Sequence, residues 1–267
     1  MPRLGLCVCV GYADFWVEMR IFALDACTAD GSAALINDNI VAASAFVSGA
    51  RTHGETLLPM VKSVLDSAFC TIDDIDMFAC TVGPGSFTGI RVAVSMIKGL
   101  AFGRQKPCVA VSSLEALAYG ALELCAVTVP VCDARRGNFY NAVFMSDSGS
   151  LMRECEDRLT DGEMLAREVL ERARTSAREL CFVGDGALRM RELCASLAEE
   201  YPSVSIRCAP ELVTHPHAAS AARVAYLHYA DMSSEEKALC TDERLAALYL
   251  RPTLAERELE NGKNENK

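Results

Sequence analysis

The sequence predicts an α/β protein of two similar lobes, each a mixed sheet flanked by helices. Three observations lead there. An apolar segment ending in aspartate occurs twice, as Phe22-Ala23-Leu24-Asp25 and as Val129-Pro130-Val131-Cys132-Asp133. Each copy is followed by two more short apolar segments and then by alternating helix-period and strand-period stretches. With 267 residues, 51% of them hydrophobic and 23% charged, the chain has the apolar content for two cores and is too apolar for wholesale disorder.

The elements follow in order. Segments 21–28, 32–38 and 40–47 read as an antiparallel meander, because Asp30-Gly31 and Asn37-Asp38-Asn39 supply turn chemistry between them. Leu57, Leu58, Val61, Val64, Leu65 and Ala68 recur at helical spacing and predict a helix over 55–69. Met77 to Val82 is a buried strand bounded by Gly83-Pro84-Gly85, and a helix spans 88–103. A strand at 108–113 and a helix at 114–122 complete the first half. The second half gives strands at 128–134, 138–145 and 150–156, a helix at 161–174 and a strand at 179–186. A helix at 187–200, a strand at 203–209 and a helix at 217–229 follow. Antiparallel strands followed by helical crossovers to parallel strands build a mixed sheet. Two such lobes around a cleft are the plan of the actin-like, sugar-kinase and Hsp70-type ATPase class. The expected division is an extension at 1–18, lobes at 19–125 and 126–250, and a polar tail at 251–267.

Composition narrows the function. Lys and Arg number 26 against 36 Asp and Glu, a net charge of −10, so the chain is poorly suited to grip nucleic acid by itself. No apolar stretch approaches the roughly 20 residues of a membrane span. Leu4–Val10 is a marginal signal core with no clean cleavage site after it. Thirteen scattered cysteines contain no Cys-x-x-Cys, so a reducing cytoplasm with free thiols is expected. The four histidines, His53, His215, His217 and His228, form no metal-binding pair on one helix.

Residues 81–91, Thr-Val-Gly-Pro-Gly-Ser-Phe-Thr-Gly-Ile-Arg, follow a strand and open a helix. Such a turn either presents amides to an anion or is a tight connection capped by Ser86 or Thr88. It is not a Walker A loop, because no Gly-Lys-Ser/Thr follows. Asp25 and Asp133 end equivalent strands, where two-lobed ATPases hold Mg²⁺ or position water. Thr28, Arg135, Arg136 and Asp185 are the neighbouring candidates for nucleotide contact, and turn formation is the competing account of each aspartate. Two helices carry apolar residues beyond one face: Leu57, Leu58, Met60, Val61, Val64 and Leu65 on the first, Val92, Met96, Ile97 and Leu100 on the second. Either they are sandwiched inside the lobe or they meet another subunit.

Several of these pieces resemble the TsaB (YeaZ) family of accessory proteins in tRNA threonylcarbamoyladenosine synthesis. They are residues 23–28 (ALDACT), 53–59 (HGETLLP), 83–91 (GPGSFTGIR), 98–101 (KGLA), 111–117 (VSSLEAL), 133–137 (DARRG) and 249–252 (YLRP). The resemblance is dense over 21–142 and thinner afterwards. It implies an actin-like fold and a non-catalytic subunit that supports TsaD in modifying adenosine 37 of tRNAs reading ANN codons. It makes the ten residues named on the two helices a docking surface for TsaD or for a second copy. Leu58 and Val61 together are then expected to be replaceable by charge without unfolding the monomer. The cleft residues become relics, with no cofactor bound by this subunit. ATP and a metal ion belong to partner subunits, among them the ATPase TsaE, and tRNA is reached only through the complex. The alternative is an active ATPase or kinase using Asp25 and Asp133 with Mg²⁺. A metallopeptidase is disfavoured by the missing ligand set.

Overall fold

The computed structural model describes residues 19–37, 40–49, 52–122, 124–147, 149–176, 178–215 and 217–251. The expected extension at 1–18, the tail beyond Arg251 and turn residues 38, 39 and 148 lie outside them.

The first half is built as its sequence predicts. Strands β1 (Arg20–Asp25), β2 (Gly31–Asn37) and β3 (Ile40–Val47) form the antiparallel meander. Helix α1 (His53–Ser67) leads to β4 (Met77–Gly83), parallel to β1, and α2 (Phe87–Ala101) leads to β5 (Cys108–Ser112), parallel to β4. The sheet order is β3-β2-β1-β4-β5. Helix α3 (Ser113–Gly120) connects to the second sheet.

That sheet contains β6 (Val127–Asp133), β7 (Asn138–Asn141), β8 (Phe144–Asp147), β9 (Ser150–Arg153) and β10 (Arg158–Asp161). It is completed, after α4 (Gly162–Ser176), by β11 (Leu180–Val183), α5 (Ala187–Ser196) and β12 (Ile206–Cys208). The main order is β10-β7-β6-β11-β12, with β8 pairing β6 and β9. Then come α6 (Glu211–Thr214), α7 (Ala218–Asp231) and α8 (Ser234–Leu239). None of the described helices is long and apolar enough to cross a membrane.

The single strand expected over 138–145 is instead two, β7 and β8. The register is the same on both sides of the break: Thr128 faces Phe144 and Val131 faces Asn141. Between them lies Pro130, which has no N–H to give to a ladder. The carbonyl of Val143 turns the other way, toward β9, and accepts the Glu154 amide at 2.8 Å. The sequence reading also passed over β10, α6 and α8, all of which are short.

Strand alternation divides the first core into two layers. Phe22, Leu24, Leu35, Phe78 and Cys80 face α1 and α2. Ile21, Ala23, Ala34, Ile36, Met77 and Ala79 face the opposite side, where α7 lies through Ala218, Ala221, Ala222, Val224 and Ala225. Helix α7, expected within the second lobe at 126–250, therefore covers the first sheet. The segment after it continues along that sheet. Leu245 is buried in the first core, the Leu248 amide donates to the Val82 carbonyl at 2.8 Å, and Arg251 Nη1 reaches the Ala134 carbonyl at 3.0 Å.

Helix α3 belongs to both halves. Ala116 packs in the layer beneath α7, while Leu114, Leu117 and Ala118 pack with Phe144, Cys181 and Val183 of the second sheet. An ionic cluster closes the same junction. Arg153 on β9 pairs with Glu115 on α3 at 2.9 Å and with Asp157 at 2.6 Å, and Ser112 Oγ donates to Asp157. His228 on α7 lies 2.8 Å from the other oxygen of Glu115. Burial pushes the Glu115 carboxyl up, but His228 and Arg153 outweigh it and hold it below its ordinary value. The hydrogen bond to Glu115 raises His228 above its ordinary value.

A raised histidine contributes stability that is complete below its unfolded value and is lost as pH rises through its folded one. Melting temperatures of the wild type and His228→Gln should therefore differ more near about pH 5.5 than near about pH 8.5. The change in that gap should be no more than about 2–4 °C, since His228 is more than a third exposed and solvent screens the pair. A gap that does not vary with pH would remove His228 from the clamp.

Candidate functional site

The most tightly built part of the molecule is where the turn after β1 meets the start of α2. The Cys27 amide donates to Asp25 Oδ1 at 3.0 Å and the Asp30 amide to Thr28 Oγ1 at 3.1 Å, which fixes the turn. His53, the first residue of α1, brings Nε2 to 3.0 Å from the Thr28 carbonyl. A carbonyl only accepts, so Nε2 carries the proton in this contact. The Ser86 amide donates to the Cys27 carbonyl at 2.7 Å. Ser86 Oγ accepts from the Gly89 amide at 3.3 Å, and the Ser86 carbonyl accepts from Ile90. The glycine stretch is thus a capped strand-to-helix connection.

Its glycines are required by proximity. A Cβ at Gly85 would lie 2.1 Å from the Cys27 carbonyl oxygen, and one at Gly89 would lie 2.0 Å from that of Ala26. No methyl group fits at such distances, so two backbones pack directly against each other.

This packing decides whether the cleft fits the Mg²⁺ and nucleotide of an ATPase. Asp25 is fully enclosed, and its Oδ2 has no donor in hydrogen-bond range. Burial raises its carboxyl above the ordinary value, partly opposed by the Thr81 hydroxyl, the Cys27 amide, His217 and His53. A metal ligand must be reachable, and Asp25 is enclosed. The Ser86 and Gly89 amides, which an anion would need, are occupied by protein oxygens. The residues present do not fit a phosphate-and-metal cradle. Among the described residues, no three His, Cys, Asp or Glu side chains converge as a metal site would require.

The other cleft candidates form a separate group. The Asp133 amide donates to Asp185 Oδ1 at 2.9 Å, the Arg135 amide donates to Asp133 Oδ1 at 2.7 Å, and Arg189 lies 3.7 Å from Asp133 Oδ2. Crowding raises the Asp185 carboxyl although solvent still touches it, and the charges of Asp133 and Asp30 add to the rise. Arg135 and Arg136 have φ of 64° and 56°, the left-handed pair that a tight β6–β7 hairpin demands, and both are exposed. Asp133 thus acts as a turn former here, and Asp185 ties the turn after β11 to the end of β6. Thr28 is nearly buried in the first group and does not join them.

The second feature is the outer side of α1 and α2. Of the ten apolar residues assigned to it from sequence, Leu57, Met60, Val61, Val64 and Ile97 are in the lobe's own core. They are corrected from docking surface to core, because the sheet-facing stripe of each helix needs them. Leu58 is 58% exposed, and Leu65, Val92, Met96 and Leu100 are partly open along the same outward side. Phe69, at 98% exposure, was missed from sequence, and Phe102, at 76%, was read as part of the apolar second helix but left out of the docking surface; each lies just beyond the end of its helix. Their one signal was a bulky aromatic residue placed after the apolar period had ended. Phe87, stacked 4.7 Å from Tyr249 and beneath Arg91, was also missed, and with Gly54, Val92 and Met96 it lines a shallow groove.

Fold and site define a two-lobed protein of the actin-like class with a packed cleft and an exposed apolar helix pair. A family model described as "TsaD: tRNA N6-adenosine threonylcarbamoyltransferase" matches residues 47–257. The chain is 35% identical over 170 residues to "tRNA threonylcarbamoyladenosine biosynthesis protein TsaB" of Escherichia coli (strain K12), covering 63% of this chain and 72% of that protein. The Bacillus subtilis (strain 168) protein of the same description is 30% identical over 166 residues, covering 62% and 71%. The solved structure of YeaZ from Pseudomonas aeruginosa superposes with a TM-score of 0.70 at 27% identity, covering 87% of this chain and all of that one. The chain belongs to the TsaB (YeaZ) family.

Gly89→Ala should lower stability by about 3 kcal/mol or more, because backbone must move to admit the methyl. Gly54→Ala, with nothing within 4 Å of the new methyl, should raise it by roughly 0.5–1 kcal/mol. Urea denaturation of both variants reads the contrast; equal effects would refute the contact between the two backbones.

Proposed function

We propose that this chain serves tRNA threonylcarbamoyladenosine synthesis as a non-catalytic subunit that docks a TsaD-type catalytic subunit through the outer side of α1 and α2. The observation that carries the reading is the apolar surface of Leu58 and the partly open Val92, Met96 and Leu100 on two adjacent helices, with exposed Phe69 and Phe102 just past their ends. Apolar side chains in that number, on rigid elements, suit a helix pair of another protein. The packed cleft supports the non-catalytic part of the reading, since it leaves no open carboxylate at the end of β1. On this reading ATP and the metal ion belong to the catalytic subunit and to a TsaE-type ATPase. The net charge of −10 leaves tRNA binding to the partners. A cytoplasmic setting suits the eleven cysteines of the described residues, all free thiols.

Leu58→Glu and Met96→Glu should each leave the chain folded and weaken co-elution with the TsaD-type subunit by at least about tenfold, a loss typical of a buried anchor. Val61→Glu should instead unfold it, because Val61 is 3% exposed and a carboxylate there has no partner. Unaltered co-elution of both outer variants would refute the docking surface.

A further inference from the structure

Away from the packed cleft and the outer helix face, a cavity of about 300 Å³ opens where α3, α7 and the β8–β9 hairpin meet. That volume suits one small molecule. Its walls come from distant parts of the chain. Glu115 and Tyr119 stand one turn apart on α3, and Leu151 belongs to β9. Helix α7 gives the long wall. Arg223 is near one end of it, Val224 and Leu227 lie along the middle, and His228 and Asp231 are at the other end.

The sequence of α7 sets that order. Positions i, i+1, i+4, i+5 and i+8 of a helix share one side. Here they carry, in turn, a guanidinium, two aliphatic side chains, an imidazole and a carboxylate. Helix α3 is registered against that stripe by two contacts. Arg223 Nε donates to the Tyr119 hydroxyl at 3.3 Å, and His228 Nε2 lies 2.8 Å from Glu115 Oε1. The first contact holds the guanidinium in place at its end of the cavity.

The two ends differ in sign. Glu115 faces two basic groups, His228 on Oε1 and Arg153 on Oε2 at 2.9 Å, so its negative charge is offset locally. Asp231 is exposed at the rim and supplies the negative end. Arg223 supplies the positive one, and a guanidinium can give a carboxylate two parallel hydrogen bonds. A multiply charged anion would meet Asp231, and a simple cation would meet Arg223. A molecule with one charge of each sign answers both. Eight helical residues set the Cα atoms of Arg223 and Asp231 about 12 Å apart. A hydrogen-bond length at each end leaves roughly 6 Å between the ligand's own charges. An amino and a carboxyl group on one carbon are too close together for that.

We propose that this cavity binds a linear ω-amino carboxylate, its carboxylate on Arg223, its ammonium on Asp231 and its methylene chain along Val224, Leu227 and Leu151. Helix α7 covers the first sheet and the hairpin belongs to the second, so the ligand ties the two halves together beside Glu115. The site shares no residue with the outer side of α1 and α2, and it stands whether or not a partner docks there.

Isothermal titration calorimetry of the full chain with 6-aminohexanoate tests this, with circular dichroism melts as the check on folding. The wild type should bind one equivalent with a dissociation constant at or below about 1 mM. Hexanoate and hexylamine carry one charge each, and glycine carries both on one carbon. Each of the three should bind at least about tenfold more weakly. Asp231→Lys, at an exposed position, should lose 6-aminohexanoate and instead take adipate, whose two carboxylates match a cation at each end. A wild type that does not bind 6-aminohexanoate, equal binding of any of the three simpler compounds, or an Asp231→Lys variant that keeps 6-aminohexanoate or ignores adipate would each overturn the proposal.

Discussion

The backbone of α2's first turn rests directly on the backbone of the turn after β1, and most of the functional architecture depends on that seat. Gly85 and Gly89 permit the approach, while the Ser86 amide and hydroxyl fasten it. Its consequences run in two directions. Inward, it encloses Asp25 and occupies the amides that an anion would use. Outward, it fixes where α2 begins, and so which residues of α2 turn away from the sheet. An enclosed Asp25 and a helix pair presented to solvent are two results of one close contact.

What remains outward is set by arithmetic of the helical period. A helix on a sheet buries a stripe somewhat over 100° wide. On α1 that stripe takes Leu57, Met60, Val61 and Val64, and on α2 it takes Ile90, Ala93, Val94, Ile97 and Ala101. Apolar residues beyond it are left wholly or partly to solvent, even where, like Val92 and Met96, they also touch the core. Leu58 on α1 and Val92 and Met96 on α2 are that remainder, and Phe69 and Phe102 extend it past the helix ends. Pattern alone shows that a helix is apolar nearly all round; only the position of the sheet tells which half is core.

Local signals made most of the fold legible. Turn chemistry at Asp30-Gly31 fixed the first hairpin of the meander, and apolar periods fixed α1, α2 and the parallel strands. Where sequence reading fell short, the determining interaction lay far away in the chain. The break between β7 and β8 comes from Pro130 on the neighbouring strand, and nothing within 138–145 shows it. Helix α7 has an alanine-rich face that fits either sheet, and its choice of the first depends on the space opposite Ala34 and Ile36. Asp25 was legible as an important position, but its enclosure was not, since that depends on a glycine 60 residues further on.

Enzymes of the two-lobed class work by closing over a substrate, which requires lobes that can part. Here α3 is packed into both halves. Parting them would expose Leu114, Leu117, Ala118 and Ala121, of which the two leucines alone represent about 3–6 kcal/mol of lost burial. It would also break the Glu115–Arg153 pair and the contact of Arg251 with Ala134. Opening therefore costs a large share of the roughly 5–15 kcal/mol that holds a typical domain together. A molecule so joined is suited to hold its surfaces in fixed relation.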